Sequence, residues 1–508
     1  MRLFSKASAG IWALGAAMLV CLAINLPNVA KDLPYYLEID EEDWILPAMH
    51  MAHERTGNPK WFGHPGSTVL YPLTVVARWN AVHPPLGKLQ IAELSTTNFV
   101  FYGRLISLLY AILSVPLLFA IALRFGTAVA VGTLAATAAY PLLIERSTYI
   151  RSDTAGVFFC LLGILLLLRS IERPSTVRIL LAGIGIGLAI STRYFLVALL
   201  PLGWFAMLVP TDHPRLQVRY RLIACATLLF GALIGFASSS PYVLLDWSHA
   251  LADIIHEGRS QHLGLDGLGP TKNLLWHWLL VLPQQLGGLQ WLLGMIGIAL
   301  GWYRKHRLAI LMGNFIIVFL LLISSHPLHA AYWTLPLYPL WGLLATWTAW
   351  QACEWTRQNC RLSRHCATAL FCIIIGAMCL PSWTSANEAA QKLRAPSTRA
   401  IARQWMADHL PPTSTILTEF LALAGTQFHV SEVPILGELG IALPAPGTYF
   451  VTSGWREGLL RAEPERYAEI IGRYNALEHD AVLLQEWLPS NRMRGPIIRL
   501  YRYTGTNH

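Results

Sequence analysis

Apolar runs long enough to cross a bilayer recur along almost the whole of this sequence, and nothing constrains its fold more. A helical span needs about 20 mostly apolar residues, because lipid offers no partner to an exposed peptide group. Segments of that character fall near residues 9–28, 99–123, 127–144, 154–168, 178–191, 194–210, 221–240, 285–303, 308–324, 331–350 and 366–383. The composition agrees: 54% of the 508 residues are hydrophobic and 13% are charged, against about 25% charged in soluble domains. The 19 Trp and 18 Tyr suit side chains that anchor at the lipid–water interface. The expected fold is an all-α polytopic membrane domain of about eleven transmembrane helices.

Arg2 and Lys6 precede the first run, which imitates a secretory signal. The run continues toward Leu26 without a small-x-small cleavage site, so it reads as an uncleaved span with its N-terminus in the cytoplasm. Threaded from there, alternate linkers fall inside, carrying Arg124, then Arg169, Arg173 and Arg178, then Arg215, Arg219 and Arg221. The next two carry Arg304, Lys305 and Arg307, then Arg357, Arg361 and Arg364. Every inside linker is basic, as the positive-inside rule requires. The net charge of +9 lies mostly in these linkers and not in a basic stripe interleaved with aromatics, which excludes nucleic acid as a partner.

The outside segments are then 29–98, 145–153, 241–273, 325–330 and the tail. Residues 1–384 form the membrane domain, and residues 385–508 are long enough for a small extracytoplasmic domain. Helical spacing over 397–409 ends at Pro411 and Pro412, and strand patterns cover 415–418, 449–452 and 497–503, so the tail reads as α/β. The cysteines lie in or beside apolar segments and have neither zinc-site spacing nor a disulfide framework. No internal repeat is visible, which weighs against a transporter built from duplicated halves.

Chemistry concentrates outside. Asp40, Glu41, Glu42 and Asp43 follow the first span, and Asp153 stands where the chain re-enters lipid. Carboxylates are costly to desolvate at such a boundary. In a cavity between helices they can serve as a base or hold a cation. The plain alternatives are a solvated collar for the first cluster and a helix cap for Asp153. Arg151 and Arg193 accompany them; the planar fork of arginine suits phosphate, though Arg193 has snorkelling to a headgroup as its alternative. His64, His83, His262, His326 and His329 are outside histidines without HExxH spacing, and interfacial histidines are the plain reading of each. Gly183, Gly185 and Gly187 lie within a span and suit close helix approach. With no Gly-rich nucleotide loop in the chain, an activated donor must come from the lipid phase.

Several stretches together resemble the polytopic GT-C glycosyltransferases, in particular the bacterial lipid-carrier-dependent relatives of protein O-mannosyltransferases. DEEDWILPAMHM at 40–51 is similar to that family's acidic opening, and TGNPKWFGHPGSTVLYPL at 56–73 to its continuation, with His64 and Pro65 at the bacterial spacing. The span at 103–126 with a leading Arg, ERSTYIRSDTAGVFF at 145–159, AGIGIGLAISTRYF at 182–195 and the Pro-Tyr opening of 239–264 follow in family order.

The resemblance implies Asp40 as the leading catalytic carboxylate, with Glu41 beside it and Asp153 as second acid. Asp40 and Asp153 would hold a divalent cation (Mg, Mn or Zn), or Asp153 the acceptor. Arg151, Arg193, His64, His262 and Tyr242 would bind substrate, with Arg193 on the phosphate of a polyprenyl-phosphate sugar and His262 near it. It implies sugar transfer, with inversion, to an extracytoplasmic lipid, glycan or protein at the inner membrane. Relatives carry Arg-Tyr before a late Leu-Pro-x-x-Pro. Here Tyr332, Trp333, Thr334, Leu335, Pro336, Leu337, Tyr338 and Pro339 lack that Arg, leaving His326 or His329 as substitutes. A flippase or transporter and a catalytically dead relative are the alternatives.

Overall fold

The structure, a computed structural model, describes residues 2–33, 39–63, 66–82, 94–138, 140–208, 218–258, 270–326, 328–419, 428–433, 445–490 and 492–505. The first helices are α1 (Arg2–Val29), α2 (Ile39–His53), α3 (Ser67–Trp79), α4 (Leu94–Ala122), α5 (Thr127–Thr137) and α6 (Pro141–Arg146). The middle of the chain forms α7 (Asp153–Glu172), α8 (Thr176–Thr192), α9 (Leu199–Leu208), α10 (Val218–Ser239), α11 (Pro241–Leu245) and α12 (Trp247–Glu257). The membrane-type helices close with α13 (Pro270–Leu275), α14 (Leu282–Leu286), α15 (Gly288–Tyr303), α16 (Arg307–Ser324), α17 (Tyr338–Asn359) and α18 (Arg364–Arg394).

Helix covers at least part of each expected span, with 127–144 divided between α5 and α6. Among the described residues, Gly10–Val29, Thr96–Phe125, Asp153–Glu172, Val218–Ser239, Arg307–Ser324 and Arg364–Arg394 are each long and apolar enough to cross a membrane. Thr127–Thr137, Thr176–Thr192, Tyr194–Leu208 and Gly288–Tyr303 are shorter apolar helices. The chain is a multi-pass membrane protein.

Two spans begin differently from the expectation. The stretch Tyr194–Ala198 is a tight 3₁₀ turn before α9, and the backbone at Arg193 is extended, with φ −148° and ψ 121°. Ala331–Leu337 is likewise a 3₁₀ turn containing Pro336, and α17 starts only at Tyr338, with Pro339 in its first turn. Proline fits there because the first amides of a helix have no intrahelical acceptor. Both breaks face the candidate site described below.

The glycines of α8 serve packing. A Cβ added at Gly183 would lie 2.2 Å from the Leu228 carbonyl oxygen, and one at Gly187 2.1 Å from that of Ala232. Gly231 and Gly235 of α10 answer at 2.4 and 2.3 Å from the carbonyls of Leu180 and Ile184. Small residues on both helices let the two backbones touch.

Beyond α18 the chain forms α19 (Thr398–His409), β1 (Thr415–Glu419), β2 (His429–Val433), β3 (Tyr449–Ser453), α20 (Gly454–Ala462), α21 (Ala468–His479), β4 (Ala481–Trp487) and β5 (Ile498–Tyr503). The strands make one sheet in the order β2-β1-β3-β5-β4. β1 runs parallel to β2 and β3, and β5 antiparallel to β3 and β4. Ala402 and Met406 of α19 pack on Val451 and Leu500, while Tyr474 and Leu477 of α21 pack on Phe450 and Tyr501. Strands β2 and β4 were not expected. HVSEV has little apolar content, and AVLLQEW lacks the alternation that marks a half-buried strand.

Candidate functional site

The site starts from the pattern of α2. Glu41, Trp44, Ile45, Ala48, Met49 and Ala52 are buried, the i, i+3, i+4, i+7 spacing of a helix with one inward face. Glu41 therefore falls on the apolar face and needs a partner. Arg104 of α4 supplies it with two parallel bonds, Nε to Oε1 at 2.8 Å and Nη2 to Oε2 at 2.7 Å. The Ile150 amide donates to Oε1 at 2.9 Å, and both side chains of the pair are fully buried. Asp40, one position earlier, turns to the helix edge and keeps 34% of its side chain exposed. Acids at this helix N-terminus are also favoured by the helix dipole.

Asp153 opens α7 but does not cap it. The N-cap is Ser152, whose side chain makes no capping bond, so the helix-cap alternative fails. The fully buried Asp153 carboxylate instead holds two guanidiniums, Arg151 through Nε at 2.8 Å and Arg193 through Nη1. Arg151 also pairs with Asp40 through its Nη1. The chain is thus Arg193–Asp153–Arg151–Asp40, assembled from α7, the segment before it, the extended break at Arg193 and α2. Burial works against the charge of Arg151, but Asp153 and Asp40 outweigh it and hold the guanidinium well above its ordinary pKa. Arg193 is anchored to an acid, which excludes simple snorkelling.

These groups meet a cavity of about 360 Å³ whose wall includes Asp40, Trp44, Arg151, Ser152, Arg193, Tyr194 and Phe195. Gly63, Ile254, Glu257, Gly258, His326, Leu328, Tyr332 and Trp333 complete the wall. Helices α11 and α12 are stitched to the loop before α3, since Asn58 Nδ2 donates to Asp246 Oδ2 at 2.8 Å and the Phe62 amide to Asp253 Oδ2 at 2.9 Å. Gly66 has no room for a side chain, because a Cβ there would lie 2.0 Å from the Trp44 ring.

Three expected residues take other places. Glu41 points into the protein, away from the cavity. Asp153 lies behind the two arginines and is not part of the wall. Tyr242 packs beneath the loop, 2.9 Å from where a Gly57 Cβ would be, and is not on the wall of this cavity; a Pro-Tyr motif does not distinguish packing from binding. His64, His83 and His262 lie outside the described residues. Arg146, Trp44 and Glu257 were not singled out from the sequence, and Arg104 entered only as the leading Arg of the span at 103–126.

Residues 83–242 match the family model described as dolichyl-phosphate-mannose-protein mannosyltransferase. No curated protein matches the sequence. The Archaeoglobus fulgidus oligosaccharyltransferase, solved with a tethered acceptor peptide, is similar in structure at 11% identity and TM-score 0.56, over 94% of this chain and 73% of that one. ArnT from Cupriavidus metallidurans, solved with undecaprenyl phosphate, is similar at 12% identity and TM-score 0.51, over 96% and 97%. The archaeal oligosaccharyltransferase AglB, solved with an inhibitory peptide and a dolichol-phosphate, is similar at 13% identity and TM-score 0.52. There the match takes in 81% of this chain and 62% of that one. The fold is GT-C. Arg104, Arg151, Asp153 and Arg193 fall inside the matched family segment, and Asp40 and Tyr332 outside it.

Where the resemblance expects an Arg beside Tyr332, three other cations gather around the ring. The guanidinium carbons of Arg146, Arg151 and Arg193 lie 4.6, 4.5 and 5.7 Å from the centre of the Tyr332 ring, within the range of cation–π attraction. Of the two histidine substitutes, His326 is on the cavity wall, whereas His329 packs against Trp276 at 4.5 Å between ring centres. A cation site is not offered by the same groups. Both Asp153 oxygens receive guanidiniums, Asp40 receives a third bond from Arg151, and no group of three or more His, Cys, Asp or Glu gathers among the described residues. A divalent ion at Asp40 and Asp153 would have to displace an arginine.

Proposed function

We propose that this protein is an inner-membrane glycosyltransferase that moves one sugar from a polyprenyl-phosphate carrier to an extracytoplasmic acceptor, with inversion. Its N-terminus is cytoplasmic, and residues 385–508 form an extracytoplasmic domain. What carries the reading is a carboxylate, Asp40, sharing one cavity wall with two anchored guanidiniums, Arg151 and Arg193. The mannosyltransferase family match and the lipid phosphates bound by ArnT and AglB support it.

In the reaction the acceptor hydroxyl attacks the anomeric carbon and gives its proton to Asp40. The bond from that carbon to the phosphate oxygen breaks, and the lipid phosphate leaves with the electron pair. Charge develops on the leaving phosphate, where fixed cations in a partly dry site stabilise the transition state most. Asp153 is a positioning residue, since it touches the arginines and not the cavity. At about 360 Å³ the cavity is at the low end of small-ligand pockets, roughly 300–1,000 Å³, which suits one sugar unit with its phosphate.

The test is sugar release in proteoliposomes supplied with labelled polyprenyl-phosphate hexoses and pentoses, comparing the wild type with Asp40→Asn. Release that depends on Asp40 supports the reading and identifies the donor. Equal lipid movement by both proteins without any release would replace it with a flippase.

A further inference from the structure

We propose that the C-terminal domain holds Asp40 in place, through a buried ion pair between Arg494 and Asp32; the catalytic consequence rests on the glycosyltransferase reading above. Asp32 lies in the connection between α1 and α2, at φ 63°, with 7% of its side chain exposed. Arg494, 12% exposed, reaches it from the turn before β5. That turn is fixed within its own domain. The Arg494 Nε donates to the Ala395 carbonyl at 3.1 Å, its amide to that of Pro396 at 3.0 Å, and its carbonyl accepts from the Thr398 amide at 2.8 Å. Beside it, Arg394 Nε donates to Asn28 Oδ1 at 3.3 Å. The domain thus grips the end of the first span and the start of the segment leading to Asp40.

From Asp32 the linkage to the site is short and buried. Arg104 Nη1 donates to the carbonyls of Val29 at 3.1 Å and Lys31 at 2.7 Å, while its other nitrogens hold Glu41. One guanidinium therefore ties both ends of the connection between α1 and α2. Lys31 Nζ donates to Thr148 Oγ1 at 2.6 Å, and Glu41 accepts from the Ile150 amide. The Asp32 connection is cross-linked to the segment that carries Arg151, so two groups of the cavity wall share one support.

A buried ion pair is weak evidence for stability and better suited to fixing a register, because much of the attraction offsets desolvation. Burial pulls Arg494 down to about 10, so it remains charged at neutral pH. Releasing Asp32 lets α2 and the Arg151 segment shift against each other. A displacement of that order at reacting groups lowers kcat steeply while leaving donor binding to the other cations.

Asp32→Asn is the decisive variant, because Asn tolerates a positive φ as well as Asp does and keeps an acceptor oxygen while losing the charge. The full chain in proteoliposomes is followed by amide exchange and by turnover of labelled undecaprenyl-phosphate hexoses and pentoses. Faster exchange over 39–53 and 147–152 is expected, with 176–239 unchanged. The expected kinetic result is a kcat lowered about tenfold with donor KM within about twofold, and Arg494→Lys retaining most of the rate. Unchanged exchange over 39–53 and 147–152 would overturn the coupling, and faster exchange with unchanged kcat would overturn the positioning role. Faster exchange in a protein whose wild type releases no sugar would support the clamp and sink the glycosyltransferase reading instead.

Discussion

At the scale of single residues, Asp40 and Glu41 are neighbours in sequence with opposite environments, one on a cavity edge and one sealed against Arg104. Glu41→Gln leaves a buried guanidinium without its counter-charge, so a loss of about 3 kcal/mol is expected. It is read as a lowered Tm in detergent. In the proposed reaction Arg193 faces the leaving phosphate, so Arg193→Ala should lower kcat/KM about 10²-fold. Arg193→Lys should restore only part, because an ammonium cannot reproduce the two-pronged geometry; steady-state kinetics with a polyprenyl-phosphate sugar checks both. Because Asp40 takes the acceptor's proton in the proposed reaction, protonating it at low pH would stop the step, and the acid limb of the pH–rate profile should be absent from whatever rate Asp40→Asn retains.

At the scale of elements, helix breaks do the positioning. The extended residue at Arg193 ends α8 and turns the guanidinium toward Asp153, and the 3₁₀ turn at 331–337 delivers Tyr332 to the same wall. Two continuous helices would have carried both side chains elsewhere. Behind the break, α8 and α10 pack backbone to backbone. Gly183→Val and Gly187→Val place methyl groups inside carbonyl oxygens of α10 and should abolish folded, monodisperse protein. Gly15→Ala meets nothing within 4 Å and should be neutral or slightly stabilising, Ala being the better helix former. Size-exclusion profiles in mild detergent separate the two outcomes.

At the scale of the whole molecule, the proposed topology places the turn between α17 and α18 on the cytoplasmic side. Cys360 and Cys366 are exposed there. A membrane-impermeant maleimide should label them in inverted vesicles and not in intact cells, whereas a cysteine placed on the sheet domain should label from outside. The reverse pattern would invert the topology and move Asp40 to the cytoplasm.

The sequence by itself determined the parts governed by local pattern. Apolar runs must become helices in lipid because their peptide groups have no other partners, and the glycines of α8 announced a close helix contact. Asp40, Arg151, Asp153 and Arg193 stood out because charge at a span boundary is costly. Whether each of them faces a cavity was decided only by tertiary structure. Glu41 and Tyr242 carry motif positions like those of binding residues, yet packing turns one to Arg104 and seats the other beneath Gly57. The gathering of Arg146, Arg151 and Arg193 around the Tyr332 ring, and the reach of Arg494 back to Asp32, join residues far apart in the chain. No spacing rule encodes such pairs, because their distance is set by how the helices and the sheet domain pack.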